Sequence, residues 1–303
     1  FQAEDGIRDR SPSRGLGDVY KRQTNMLTAA ALAHVNRLPV LLLPGDYFAS
    51  RTPDPVLQQL EDFSDPTVSV NDCFKPVSRY FDRIMRPEQI INSLPVAMQT
   101  LLDPENCGPV TISLPQDVQA EAFDYPEEFF KQRVHTIRKI KIDEDELVQA
   151  VEILKNSKKP LIIAGGGVHY ASACNTLQEF SKKYKIPVAE TSAGKGALAW
   201  NHPGYVGAIG VTGSNAANNL ARQADTVLAI GTRLNDFISG SRALFSDKKL
   251  VQLNVARFDA IKHNACPLWG DAMLGIDKLD EQLTDWKASE KWFKESEKEA
   301  SSW

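Results

Sequence analysis

The stretch "KKPLIIAGGGVHY" (residues 158–170) decides the fold. Four apolar residues, 161–164, run without a polar interruption into Gly165, Gly166 and Gly167. A short continuous apolar run is how a strand buried on both faces reads, and such strands belong to parallel sheets covered by helices. Glycines between a strand and a helix let backbone approach closely, either to another chain segment or to a phosphate at the helix N-terminus. The next strand, 186–190, closes on Glu190, about 20 residues further on, where a dinucleotide-binding fold places its ribose-binding acid. The G-x-G-x-x-G pattern is incomplete, because Tyr170 holds the third glycine position. A tight turn without ligand, a nucleotide-like groove and a hydride-transfer site are all compatible with these residues.

Outward from that stretch, the second half of the chain alternates strand and helix. Strands are expected at 161–164, 186–190, 226–230 and 250–255, with helices near 171–184 and 214–223. "DEDELVQAVEIL" opens the series, Asp143 and Glu146 reading as a capping box. Ser214 or Asn215 is expected to cap the helix in "GSNAANN". "TSAGKGAL" (191–198) is a second glycine loop without P-loop spacing, and Lys195 reads as a rim charge. In "AIGTRLNDF", Gly231 ends a strand at the edge where α/β sheets bind ligands. A last helix places Ile276, Leu279, Leu283 and Trp286 at 3–4 spacing, and a charged tail follows.

The first half belongs to the same class. A helix is expected over 24–36, then "VLLL" (40–43) as a strand buried on both faces and closed by Pro44-Gly45. "PDPVLQQLEDF" puts Val56, Leu57, Leu60 and Phe63 on one helical face, and "TVSV" (67–70) reads as a strand. A helix from Pro87 is interrupted by Pro95, which should kink or split it. "GPVTISLP" (108–115) is a further strand. Residues 116–142 are polar and weakly periodic, like a linker.

Composition limits the function. The chain has 303 residues, room for about two domains, and a net charge of −4. That charge offers no basic field for nucleic acid or anionic lipid. No stretch approaches the roughly 18 apolar residues that span a bilayer, and no signal-peptide core is present. Four dispersed cysteines, Cys73, Cys107, Cys174 and Cys266, fit a reducing, cytoplasmic setting. The histidines lack ligand spacing, and no G-x-S-x-G elbow is present. Residues 1–23 carry five basic and four acidic residues with scattered apolar ones. They read as a disordered or non-native leader, similar to a translated sequencing adapter.

Taken together, "TNMLTAAALAHVNRLPVLLLPGD", "FKPVSRY", "GPVTISLPQDVQ", "KKPLIIAGGGVHY", "IPVAETSAGKGAL", "AIGTRLNDF" and "LVQLNVARFDAIKHNACPLWGD" resemble the thiamine-diphosphate enzymes of the acetohydroxyacid-synthase type. "LPGDYFASRTPDPVLQQ", "VNDCFKPVSRYFDRI" and "AETSAGKGAL" resemble, within that superfamily, the trihydroxycyclohexane-1,2-dione hydrolases of myo-inositol breakdown. The synthases typically have Gly-Gln where this chain has Gly45-Asp46.

The resemblance implies an α/β fold. A partial pyrimidine-binding domain, a parallel sheet with helices, covers 24–130 with its linker. A Rossmann-like central domain covers 131–286. Residues 287–303 would begin the linker to a pyrophosphate-binding domain. It also implies thiamine diphosphate and Mg²⁺ as cofactors, a cyclic dione as substrate, 5-deoxyglucuronate as product, and a homodimer or homotetramer. Thr24, Asn25, Gly45 and Asp46 would line the thiamine diphosphate pocket or its rim, and Arg79 would lie near substrate. Gly165, Gly166, Gly167, Glu190 and Gly231 would border a groove that holds FAD or ADP in some relatives and nothing in others. The family's catalytic glutamate is expected upstream of Thr24 and its magnesium motif beyond Trp303, so the chain reads as an internal fragment, inactive alone. "WGDAM" does not supply that motif, since Ala272 replaces its second glycine. The competing readings are an acetohydroxyacid-synthase-like or glyoxylate-carboligase-like enzyme, an NAD-dependent oxidoreductase, and a non-catalytic nucleotide-binding module.

Overall fold

In the computed structural model, residues 12–50 and 64–302 are described. The helix expected around Val56, Leu57, Leu60 and Phe63 lies outside them. The chain divides into two compact units, Phe1–Ile137 and Arg138–Trp303. Both are built on parallel sheets with helices, as the residue pattern implies.

In the first unit, helix α1 (Pro12–Asn36) leads into β1 (Leu41–Leu42) and β2 (Gly45–Asp46). The helix therefore starts well before Thr24, and Gln23 is buried within the region read as leader. β3 (Tyr80–Arg83), α2 (Ile90–Leu101) and β4 (Val110–Pro115) complete the unit. β4 is the centre of the sheet and pairs in parallel with β1, β2 and β3. β1 and β2 keep one register along it: Leu42 lies beside Thr111, and Asp46 beside Pro115. β1 ends at Leu42, as the Pro44-Gly45 pair implies, and the row resumes as β2 at Gly45. The missing N–H of Pro44 is not needed there, while its carbonyl accepts the Leu114 N–H at 2.9 Å. The ladder thus carries Asp46 to the C-terminal edge of the sheet.

Three expectations fail here. "VLLL" is not covered on both faces, for Leu41 is 40% and Leu43 55% exposed. "TVSV" is not a strand: Ser69 caps a 3₁₀ segment, Val70–Val77, in a capping box with Asp72. The S-x-x-D spacing, a helix-start signal, outweighs the β-branched alternation. Finally, α2 is not split at Pro95, which lies inside the continuous helix Ile90–Leu101. The fixed φ of proline suits a helix, and only one intrahelical bond is forfeited.

The second unit holds a six-stranded parallel sheet in the order β10-β9-β8-β5-β6-β7. Its strands are β5 (Pro160–Ala164), β6 (Val188–Glu190), β7 (Tyr205–Ala208), β8 (Thr226–Ile230), β9 (Lys249–Asn254) and β10 (Cys266–Trp269). The chain starts in the middle, winds outward to β7, then crosses back to β8 beside β5. This is the doubly wound order, with its switch point between β5 and β8. β5 and β8 are buried at every residue, which explains their uninterrupted apolar runs. The short outer strands β7 and β10 carry no such run and were not legible.

Helices cover both faces: α3 (Glu144–Lys155), α4 (Gly166–Tyr170), α5 (Cys174–Tyr184), α6 (Asn215–Gln223), α7 (Asp236–Ser239), α8 (Arg257–Ile261), α9 (Ala272–Gln282) and α10 (Glu290–Ser301). Asp143 caps α3, but Glu146 leaves the box and accepts the Trp269 N–H at 2.8 Å. Ser214 caps α6. Where a linker was expected after residue 286, α10 buries Trp292 and Phe293, and the Trp292 indole N–H donates to the Pro160 carbonyl at 2.8 Å.

Candidate functional site

Ligands of open α/β sheets bind beyond the C-terminal ends of the strands. In the first unit that edge carries a buried polar network. Asp46, at the end of β2, is 1% exposed. Its Oδ1 accepts the Tyr47 N–H at 2.9 Å, and its Oδ2 accepts from Arg83 Nε at 2.7 Å and Ser113 Oγ at 2.5 Å. Arg83, the last residue of β3, also donates through Nη2 to Ser69 Oγ (2.9 Å) and to Asp72 Oδ2 (3.1 Å). The capping box of the 3₁₀ segment is therefore tied to the ends of all three sheet rows.

Electrostatics follow the geometry. Burial pushes the Arg83 guanidinium toward losing its proton, but the hydrogen bond and charge of Asp46, with the charge of Asp72, hold it above its ordinary value. Burial also pushes the Asp72 carboxyl up. The Lys75 ammonium at 2.6 Å, the Ser69 N–H and the Arg83 charge outweigh it and bring the net shift below the ordinary value. A buried ion pair of this kind loses about 3–5 kcal/mol when one partner is removed, because the other is left uncompensated.

Beside the pair, the carbonyl of Gly45 accepts two carboxamide donors, Asn71 Nδ2 at 2.7 Å and Gln23 Nε2 at 2.8 Å. Their oxygens, Asn71 Oδ1 and Gln23 Oε1, are buried without a hydrogen-bond donor. Unsatisfied buried acceptors call for a water or a ligand N–H.

The expected residues fall unevenly on this edge. Gly45 and Asp46 are in it. Thr24 and Asn25 are exposed on α1, and Gln23 is the neighbour that turns inward. Arg79 lies just before β3, at the opposite end of the sheet, with its side chain packed over Gly108. Arg83, four residues on, is the arginine at the ligand end. Its only sequence signal is a buried carboxylate in need of a cation, and that partner lies 37 residues away.

In the second unit, the glycines occupy the β5–β8 switch point as expected, but against each other. Gly165 N–H donates to the Ile230 carbonyl at 2.8 Å and Gly167 N–H to the Gly231 carbonyl at 2.9 Å. A methyl on Gly165 would meet the Gly231 oxygen at 2.3 Å, and one on Gly167 would meet the Gly231 Cα at 2.6 Å. Gly231 itself has φ +59°, the left-handed region that glycine enters freely. Two of the three amides that a phosphate would use are thus committed. Glu190 is buried, with its carboxylate accepting the Gly196 and Leu198 N–H groups at 3.2 and 2.8 Å. It organises the "TSAGKGAL" loop instead of facing a ribose. Lys195 is exposed on that loop. Among the described residues, no three His, Cys, Asp or Glu side chains gather as a metal site. No described helix is long and apolar enough to cross a membrane.

Residues 147–279 match the central domain of thiamine pyrophosphate enzymes. The resemblance read from the sequence stands. The chain is 47% identical over 262 residues to the 3D-(3,5/4)-trihydroxycyclohexane-1,2-dione hydrolase of Geobacillus thermodenitrificans, covering 86% of this chain and 41% of that protein. A protein of the same name from Clostridium tetani is 48% identical over 261 residues, 86% of this chain and 40% of the relative. One from Bacillus cereus strain ZK is 48% identical over 271 residues, 88% and 42% respectively. The chain spans about two fifths of the length of these curated relatives.

Proposed function

We propose that this chain is part of a thiamine-diphosphate-dependent hydrolase that opens 3D-(3,5/4)-trihydroxycyclohexane-1,2-dione at a carbon–carbon bond, giving 5-deoxyglucuronate in inositol breakdown. The observation that carries the reading is identity of 47–48% sustained over 86% of the chain with relatives of that name. The complete protein is proposed to use Mg²⁺ with the cofactor, to act in the cytoplasm and to assemble as a homodimer or homotetramer.

Hydrolysis between two carbonyl carbons expels a carbanion, and thiamine diphosphate, when bound, supplies the electron sink that this step needs. The first unit has groups that suit such a cofactor. The buried oxygen of Asn71 can accept from an N–H, as an aminopyrimidine offers. Carboxamides do not titrate, so they hold a ring amine without taking its proton. Asp46 is not the proton acceptor, because its oxygens are engaged by Tyr47, Arg83 and Ser113. Its part is to anchor the Gly45 turn.

A nicotinamide or flavin site at the glycines is the weaker reading, since the Gly165 and Gly167 amides and the Glu190 carboxylate already have backbone partners. The full-length protein, supplied with thiamine diphosphate and Mg²⁺, is expected to convert the dione to 5-deoxyglucuronate and to leave pyruvate and glyoxylate uncondensed. Carbon–carbon bond formation from either keto acid, with no ring opening, would replace this proposal by a synthase or carboligase.

A further inference from the structure

Away from both strand edges discussed above, the second unit contains a cavity of about 150 Å³ under the connection from α7 to β9. Its lining includes Arg242, Lys248, His263, Asn264 and the hydroxyls of Ser239 and Ser246, over an apolar floor of Phe245 and Leu250. No carboxylate lines it. Three independent features converge on this cavity.

The first is charge. Arg242 is exposed, and among the described residues only its backbone N–H is seen to bond, to Ser239 Oγ, so its guanidinium is open to a ligand. Lys248 Nζ is fixed by the Arg222 carbonyl at 2.9 Å and by Asp247 at 3.0 Å, an aspartate that is itself 74% exposed. One of its three N–H bonds is left for a ligand. The His263 ring meets the Leu234 carbonyl through Nε2 at 3.3 Å, which leaves Nδ1.

The second is backbone strain. Ser241 (φ 53°), Arg242 (φ 74°), His263 (φ 64°) and Asn264 (φ 56°) all hold left-handed conformations. Non-glycine residues rarely do so, and such outliers gather at ligand clamps. Here two separate strained segments face one cavity. The third is size. About 150 Å³ gives room for several waters, and so for a tetrahedral oxyanion.

We propose that this cavity is a binding site for a compact oxyanion of the phosphate type, with Arg242 as its principal donor and Lys248, His263 and Ser239 completing the shell. The planar fork of arginine suits two oxygens of such a group. The proposal does not depend on the function assigned above.

Titration calorimetry of the full chain with inorganic phosphate, against chloride at equal ionic strength, tests it. A saturable 1:1 isotherm is expected. Arg242→Asn removes the charge while tolerating the left-handed backbone, and should weaken binding at least tenfold. Arg242→Lys should lie between Asn and wild type, and loss in both variants with an unchanged tryptophan unfolding midpoint still assigns the fork to the ligand. Heat no greater than with chloride, or an Arg242→Asn variant that binds like wild type, overturns the site. Glycerol phosphate in place of phosphate decides the source: binding by both marks an ester site, binding by phosphate alone a site for the free ion.

Discussion

The two units use the same strand-end edge in opposite ways. In the first, the edge is closed by charge: Asp46, Arg83 and Asp72 are locked together, and two carboxamide oxygens stay unsatisfied beside them. In the second, the switch point is closed by backbone, with Gly165 and Gly167 pressed on Gly231. The glycine-rich turn looks the more functional in a one-dimensional reading, because glycine beside a strand suggests a phosphate. In three dimensions, the polar edge has the unsatisfied valence and the glycine edge has none to spare at two of its three amides. A glycine run reports close approach, and the approaching partner can be the protein itself.

The largest expected effect breaks the charged edge. Arg83→Met leaves Asp46 buried without its cation and should cost the first unit about 3–5 kcal/mol. All five tryptophans lie between Trp200 and Trp303, so their fluorescence reads the second unit alone. Hydrogen exchange of β4 amides should accelerate while the tryptophan unfolding midpoint stays in place. If the two respond together, the two units unfold as one. An Asp46→Asn/Arg83→Met double variant should recover part of the loss, since no bare charge remains.

A smaller effect tests the backbone closure. Gly165→Ala drives a methyl into the Gly231 carbonyl and should cost about 1–3 kcal/mol by overpacking. The tryptophan midpoint in urea should fall and β4 exchange should not. An unchanged midpoint would mean that the crevice has room, and would reopen it to a phosphate.

The smallest is the acid response of the capping box. Asp72 has a folded pKa below its ordinary 3.8. A depressed carboxylate stabilises the fold above its unfolded pKa, and that stability disappears as pH falls through the lower folded value. Wild type should therefore lose more stability than Asp72→Asn as pH falls below about 4, seen in β4 exchange. Equal acid sensitivity would remove Asp72 from the network.

Much of the second unit was legible because burial on both faces forces a continuous apolar run, as in "LIIA" and "TVLAI". β7 and β10 escaped because outer strands need only partial burial and keep mixed composition. β3, "YFDR", escaped because every one of its residues is only partly buried, which leaves no pattern to read. At the site, Gly45 and Asp46 could be chosen only from the resemblance. Gln23 could not, since it lies in a stretch set aside as leader, and its contact with Gly45 spans 22 residues. Arg79 is implied by the resemblance alone, and only the pairing of β3 with β4 shows that Arg83 is the arginine at the Asp46 edge.

The amino-acid sequence by itself determined the class: parallel α/β layers, a helix cap at Asp143 and another at Ser214 or Asn215, and the resemblance to thiamine-diphosphate enzymes. These rest on local periodicity, short-range hydrogen bonds and residue identity, which need no knowledge of what comes near what. Only the tertiary structure decided that Arg83 neutralises Asp46, that Gly45 gathers two carboxamides, and that Gly165 and Gly167 spend their amides on the β8 turn. Each of these joins residues 20 or more positions apart, and such partners are chosen by strand register and sheet order, not by spacing along the chain.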